Sequence, residues 1–164
     1  DDGLTGICLS YGAGMTNIVV AHEGDPLVEF SVTRAGDYIE NSVGSALDIP
    51  PSLALMETEA GVDLYDTSES SKIKQAVTVY YNSVISYTLR NIAFELEQRR
   101  KELPIFRSPV PIIVSGGLTL AEGFAKKVEE MLPSLNLPMQ IKEVRRAVEP
   151  MKAVSQGCFL AAQI

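Results

Sequence analysis

Residues 10–17 read Ser10-Tyr11-Gly12-Ala13-Gly14-Met15-Thr16-Asn17, with an apolar run at 7–9 before them and another at 18–21 after them. Two short apolar runs joined by so small a turn form an antiparallel hairpin. The glycines let the turn close and leave backbone N–H groups at a sheet edge with no side chains over them. A concave patch of amides suits an anion, typically a phosphate. The same glycines would equally serve a plain hairpin that needs them only for turn geometry, and the local pattern leaves both readings open.

The rest of the chain builds outward from this hairpin. Residues 4–9 and 16–23 read as its strands, and Glu23-Gly24-Asp25-Pro26 reads as a turn. Residues 27–34 alternate, Val28, Phe30 and Val32 against Leu27, Glu29, Ser31 and Thr33, which predicts a third antiparallel strand. Helical spacing follows over 36–47, with Ile39, Val43, Ala46 and Leu47 on one face. Pro50-Pro51 breaks it, and Pro51 suits the first turn of a short helix that stops at Gly61.

Residues 62–68 are irregular, and the polar stretch 67–71 predicts a loop that caps the next helix. That helix spans about 70–101 and carries Ile73, Val77, Tyr81, Val84, Ile85, Thr88, Ile92 and Leu96 at intervals of three to four residues. Its tyrosines Tyr80, Tyr81 and Tyr87 are expected in packing. After a proline-rich connection, Ile112-Ile113-Val114 has the character of a buried parallel strand. A helix over 120–132 (Phe124, Val128 and Met131 inward), a strand over 138–144 and a small-residue helix over 149–162 packed on the sheet complete the expectation. The order β-β-β-α-α-α-β-α-β-α predicts an α/β domain, a mixed sheet with helices packed on it.

Composition narrows the function classes. The 164 residues suit one domain, with 46% hydrophobic and 21% charged residues. A net charge of −7 argues against a broad nucleic-acid-binding face, and no apolar run is long enough to span a membrane. No basic, apolar leader opens the chain, so a cytoplasmic protein is expected. It opens on Asp1 rather than Met, which predicts the C-terminal part of something longer. Cys8 and Cys158 lie in apolar surroundings and are expected as buried free thiols. His22 has no partners at ligand spacing, so no metal site is expected there.

A second glycine pair, Ser115-Gly116-Gly117-Leu118-Thr119, follows the strand at 112–114. Ligands in open α/β sheets bind at the carboxyl ends of strands, and glycine there lets a flat ring lie against the backbone. Taken alone this is equally a plain β-to-α turn.

With its second glycine turn, the chain resembles the actin-like ATPase superfamily: actin, DnaK-type chaperones, sugar kinases, and the bacterial cell-shape, cell-division and pilus-assembly actin homologues. Residues 10–17 resemble the family's second phosphate hairpin, Asp-x-Gly-Gly-Gly-Thr-Thr. Residues 112–119 resemble its adenosine motif, and Ala147-Val148-Glu149-Pro150-Met151-Lys152-Ala153-Val154-Ser155-Gln156-Gly157 its connecting segment. Residues 34–39 and 46–50 look most like the cell-division and pilus-assembly branch. The resemblance implies an RNase-H-like second half-domain over 1–164: the hairpin meander at 1–35, an inserted helical region at 36–103, and the adenosine motif with its connecting helix at 104–164. The first half would lie upstream.

The resemblance further implies ATP and Mg²⁺ in the full-length protein, with little nucleotide held by this half alone. It puts phosphates on Gly12, Ala13, Gly14, Met15, Thr16 and Asn17, and adenine beside Gly116, Gly117 and Leu118. No catalytic residue is assigned and no metal ligand is expected in the chain. Partners would be the upstream half and further copies or assembly partners. Two departures weaken catalysis. Ser10 stands where the family has the aspartate that organises Mg²⁺-bound water. Glu57 and Ala54 stand near the family's ribose- and base-contacting Lys and Glu. A switch or assembly protein with weak or no hydrolysis is the first expectation and a non-catalytic scaffold the alternative; a small-molecule kinase is a third, although nothing marks a sugar site.

Overall fold

The computed structural model describes residues 4–66, 68 and 71–163. Five strands form one sheet in the order β3-β2-β1-β4-β5. They are β1 (Gly6–Tyr11), β2 (Thr16–His22), β3 (Asp25–Val32), β4 (Val110–Ser115) and β5 (Ile141–Arg146). β2 runs antiparallel to both β1 and β3, while β4 lies parallel to both β1 and β5. The glycine hairpin of β1 and β2 and the end of β4 therefore meet at one edge of the sheet.

The alternation along each strand divides the sheet into two faces. Ile7, Leu9, Tyr11, Ile18, Val20, Ile112 and Val114 point one way and are at most 1% exposed. They share one core with Ile39 and Val43 of α1 (Gly36–Leu47), the buried stripe of α3 (Lys72–Gln98), and Phe124 and Val128 of α4 (Phe124–Met131). Tyr11 and Tyr81 both meet the Phe124 ring edge-on, tying β1, α3 and α4 together. The three antiparallel strands, α1, and the short helix α2 (Pro51–Glu59) lie where the sequence pattern predicts them to within two residues. Ser71 caps α3 by accepting from the Lys74 N–H at 3.2 Å. Thr67, Glu69 and Ser70 of the expected capping loop lie outside the described residues.

The tyrosines pack as expected. Tyr81 is buried, Tyr80 meets Tyr38 edge-on, and Tyr87 lies under the Arg34 guanidinium, which also covers Tyr38. His22 ends β2 against the Phe106 ring. No group of three His, Cys, Asp or Glu side chains among the described residues is placed to hold a metal ion.

Several expectations are corrected. The helix expected over 120–132 begins only at Phe124, because a 3-10 turn over Gly117–Leu120 comes first and Gly123, at φ 78°, starts the helix. Met131 is only half-buried and Ala46 of α1 is exposed. The strand expected from 138 starts at Ile141, after the prolines at 133 and 138. The final helix, α5 (Ala153–Ala161), does not pack on the sheet. None of its residues is buried, and Phe159 and Leu160 are exposed. Small residues permit close packing, but they do not provide the surface to pack on. Both cysteines are exposed rather than buried. Cys8 falls on the sheet face that lacks the helices, and Cys158 falls on α5.

Candidate functional site

The hairpin and the second glycine turn touch. At Gly116 the backbone takes φ 90°, a conformation L side chains rarely adopt, and a Cβ there would stand 2.2 Å from the Tyr11 carbonyl oxygen. Only glycine lets β4 end so close to the point where β1 turns. The adjoining chain uses up several backbone groups. The Gly116 N–H donates to the Pro150 carbonyl at 2.9 Å, which folds the 147–152 linker over the turn. A Cβ on Gly117 would meet the Met151 sulfur at 3.8 Å. The Thr119 hydroxyl donates to the Gly116 carbonyl at 2.7 Å. Leu118 is in the core, so its side chain does not line the turn's open side.

The hairpin itself is a four-residue loop closed by the Gly12 N–H donating to the Met15 carbonyl at 3.0 Å. The start of α1 is bonded to it. The Gly36 N–H donates to the Gly12 carbonyl at 3.1 Å and the Asp37 N–H to the Ala13 carbonyl at 2.9 Å. The first α1 donors are therefore spent on the loop. The Ala13 and Gly14 N–H groups have no partner among the described residues and remain available to an anion.

Gly14 itself is exposed, lies outside the left-handed region, and a Cβ there would meet only Asp37 Oδ2, at 3.7 Å. The fold makes no demand for glycine at that position, whereas it demands one at 116. Glycine at 14 leaves room for something to approach the backbone.

The remaining predicted site residues divide. Met15 is half exposed beside the loop. Thr16 is fully buried and its hydroxyl donates to the Arg34 carbonyl at 3.3 Å, so it braces the hairpin from within. Asn17 is exposed and accepts from the Ser31 hydroxyl through Oδ1 at 2.7 Å. Ser10 lies between Asn17 and Ser115 in the sheet register. On α2, Ala54 is fully buried and faces the core, while Glu57 is half-buried. Burial drives the Tyr11 phenol far above its ordinary range, with the Thr88 hydroxyl offsetting part of the effect, so Tyr11 is a packing group.

Sequence reasoning missed Asp37. Its carboxylate beside Gly14 and the like charge of Glu59 help raise the Glu40 carboxyl above its usual range, after desolvation, which contributes most. The local signal was an acid in the first turn of a predicted helix, which reads as a response to the helix dipole. Its closeness to residue 14 is a tertiary fact.

The family model described as Volactin matches residues 1–162. The chain belongs to the Volactin family. No curated protein matches it. Solved structures show which fold a Volactin chain of this kind adopts. It superposes on the non-polymerising A278D mutant of MamK bound to AMPPNP with a TM-score of 0.69 at 16% identity, covering 97% of this chain and 54% of that one. On MreB 5 of Spiroplasma citri bound to AMPPNP the TM-score is 0.69 at 15% identity, covering 94% and 51%. On the PilM-PilN type IV pilus biogenesis complex it is 0.67 at 16% identity, covering 98% and 46%. The actin-like ATPase fold expected from the motifs is therefore the fold of this Volactin chain. The chain spans about half the length of the solved chains it matches. No described helix is long and apolar enough to cross a membrane.

Proposed function

We propose that this chain is the second, nucleotide-binding half of an actin-like protein. It acts as a conformational switch or assembly component that closes on ATP, with weak or no hydrolysis. One observation carries the reading: two glycine turns far apart in the sequence, at Gly12–Gly14 and Gly116–Gly117, meet at the carboxyl ends of β1 and β4, where α/β sheets bind ligands. Gly12, Ala13, Gly14 and Met15 would cradle phosphate through their backbone, Thr16 would brace the hairpin, Asn17 would border it, and Gly116, Gly117 and the Leu118 backbone would flank adenine. The AMPPNP bound to MamK and to MreB 5 supports a nucleotide as the ligand. The PilM-PilN complex supports an assembly role. In this reading the other half of the cleft comes from upstream sequence, the partners are further copies or an assembly protein, and the setting is cytoplasmic.

Calorimetry of the protein containing both halves, titrated with ATP, tests the reading. Binding heat is the expected result, and silence up to millimolar nucleotide would rule out the switch.

A non-catalytic scaffold with a degenerate site is the second reading, favoured by Ser10 at the metal-organising position and Glu57 where the family has a cation. It expects ATPase activity to stay at background in Ser10→Asp and assembly to ignore nucleotide. Strong turnover in that variant would count against it.

A further inference from the structure

The fold family implies a Mg²⁺ ion with the nucleotide, and the donor atoms here do not fit one. Mg²⁺ takes six oxygens in near-ideal octahedral geometry, and protein sites usually supply one or two carboxylates among them. The sheet register places Ser31, Asn17, Ser10 and Ser115 side by side across four strands, on the face away from the core and level with the hairpin. That row carries two kinds of neutral oxygen, hydroxyl and amide, and no carboxylate. Three of its four side chains are already hydrogen-bonded: Asn17 Oδ1 accepts from the Ser31 hydroxyl, and the buried Ser115 hydroxyl donates to the Leu9 carbonyl at 3.3 Å. The carboxylate beside the loop is Asp37, which stands next to Gly14 at the hairpin tip rather than in the row.

We propose that the hairpin of this chain takes its phosphate without a divalent cation, held by backbone N–H groups alone, and that Asp37 acts against that anion. The proposal rests on the nucleotide reading above and deepens it. With no cation between them, Asp37 and a phosphate are like charges a few ångströms apart across a partly solvated loop. Removing the carboxylate then strengthens binding. If a metal bridged them, removing it would weaken binding. The two arrangements give opposite signs for one substitution.

The test is an amide NMR titration of the protein containing both halves with ATP, once in EDTA and once in excess Mg²⁺, following Ala13, Gly14 and Met15. The expected result is an affinity in EDTA within about twofold of that in Mg²⁺, and binding about three- to tenfold tighter in Asp37→Asn under EDTA, as for one nearby charge at intermediate dielectric. Ser10→Asp is expected to make the affinity Mg²⁺-dependent. A tenfold or greater loss in EDTA, or weaker binding by Asp37→Asn in Mg²⁺, overturns the proposal. No shifts at the hairpin under either condition overturns the nucleotide reading and the proposal together. Unchanged shifts across the core strands confirm that each variant is folded.

Discussion

On β1, Ile7, Leu9 and Tyr11 are at most 1% exposed, while Cys8 and Ser10 between them look away from the helices. The same contrast runs through β2, where Ile18 and Val20 are buried and Asn17 is exposed; on β4 it is weaker, because Ile112 and Val114 are buried, Ile113 is half-buried, and Pro111 and Ser115 on its side are buried too. One face of the sheet is covered by α1, α3 and α4. The other carries the polar row beside the glycine turns and, with the detached α5, remains largely open. The covered face accounts for the fold. The open face accounts for little of the stability, and it is where the candidate site lies.

The largest effect that can break this contrast comes from paired truncations on one strand. Leu9→Ala removes a fully buried side chain and is expected to cost about 2–5 kcal/mol. Cys8→Ala, one residue away on the open face, is expected to change stability by about 0.5 kcal/mol or less. Urea denaturation of the two variants reads the difference. Comparable losses would mean that the open face is packed in solution.

A second pair compares the glycine turns themselves. Gly116→Ala forces a Cβ against the Tyr11 backbone and strains a left-handed residue, with an expected cost of about 2–4 kcal/mol. Gly14→Ala meets only Asp37 Oδ2 at ordinary contact distance and is expected to stay within about 0.5 kcal/mol. Thermal melts settle the stability side. If Gly14→Ala leaves stability unchanged while abolishing the ATP-induced shifts at the hairpin, the glycine at 14 serves a ligand; if it destabilises as much as Gly116→Ala, that glycine serves the turn.

Much of the covered face was legible in the sequence because burial leaves a period. Val28, Phe30 and Val32 alternate, and Val77, Tyr81, Val84 and Ile85 recur at helical spacing, so element type and inward face follow from residues close in the chain. The open face leaves no such record. Cys8 reads as buried because its neighbours are apolar, yet parity places it outward, where no described helix buries it. The small residues of α5 announce close packing without naming a surface. The meeting of the two glycine turns, and the position of Asp37 against Gly14, depend on strand order and on the entry of α1, which a single sequence specifies only through a resemblance. The 3-10 turn at Gly117–Leu120 was hidden for a different reason. Its residues suit a helix, and the start at Phe124 is set by Gly123 and by pairing of Asp63 with Glu122.

Thiol labelling sharpens the contrast by rate rather than by energy. Both cysteines are exposed, so both are expected to react with a small disulfide reagent in the folded protein without denaturant. Cys8 sits between Val19 and Ile113 in the register, and desolvation raises its thiol above the ordinary range. Its thiolate fraction at mildly alkaline pH is correspondingly reduced, and its labelling is expected to lag that of Cys158, with the gap narrowing as pH rises. Cys8→Ser and Cys158→Ser assign the two phases. A Cys8 that labels only after urea is added would show that something covers the open face.

The smallest expected effect lies at the junction of the covered core with the site. The Glu40 carboxyl is raised by desolvation first, then by Asp37 and Glu59. A carboxyl whose folded pKa lies above its unfolded value favours folding while protonated, and that contribution is lost as pH rises through the folded value. At neutral pH the ionised Glu40 is therefore a small liability. Glu40→Gln is expected to raise the melting temperature slightly at pH 7, by the equivalent of a few tenths of a kcal/mol because the group is only partly buried. The advantage should shrink as pH falls through the raised carboxyl range and vanish below it. A gain from Glu40→Gln that persists at low pH would locate its origin in packing, and the acidic side of the hairpin would then have no electrostatic share in stability.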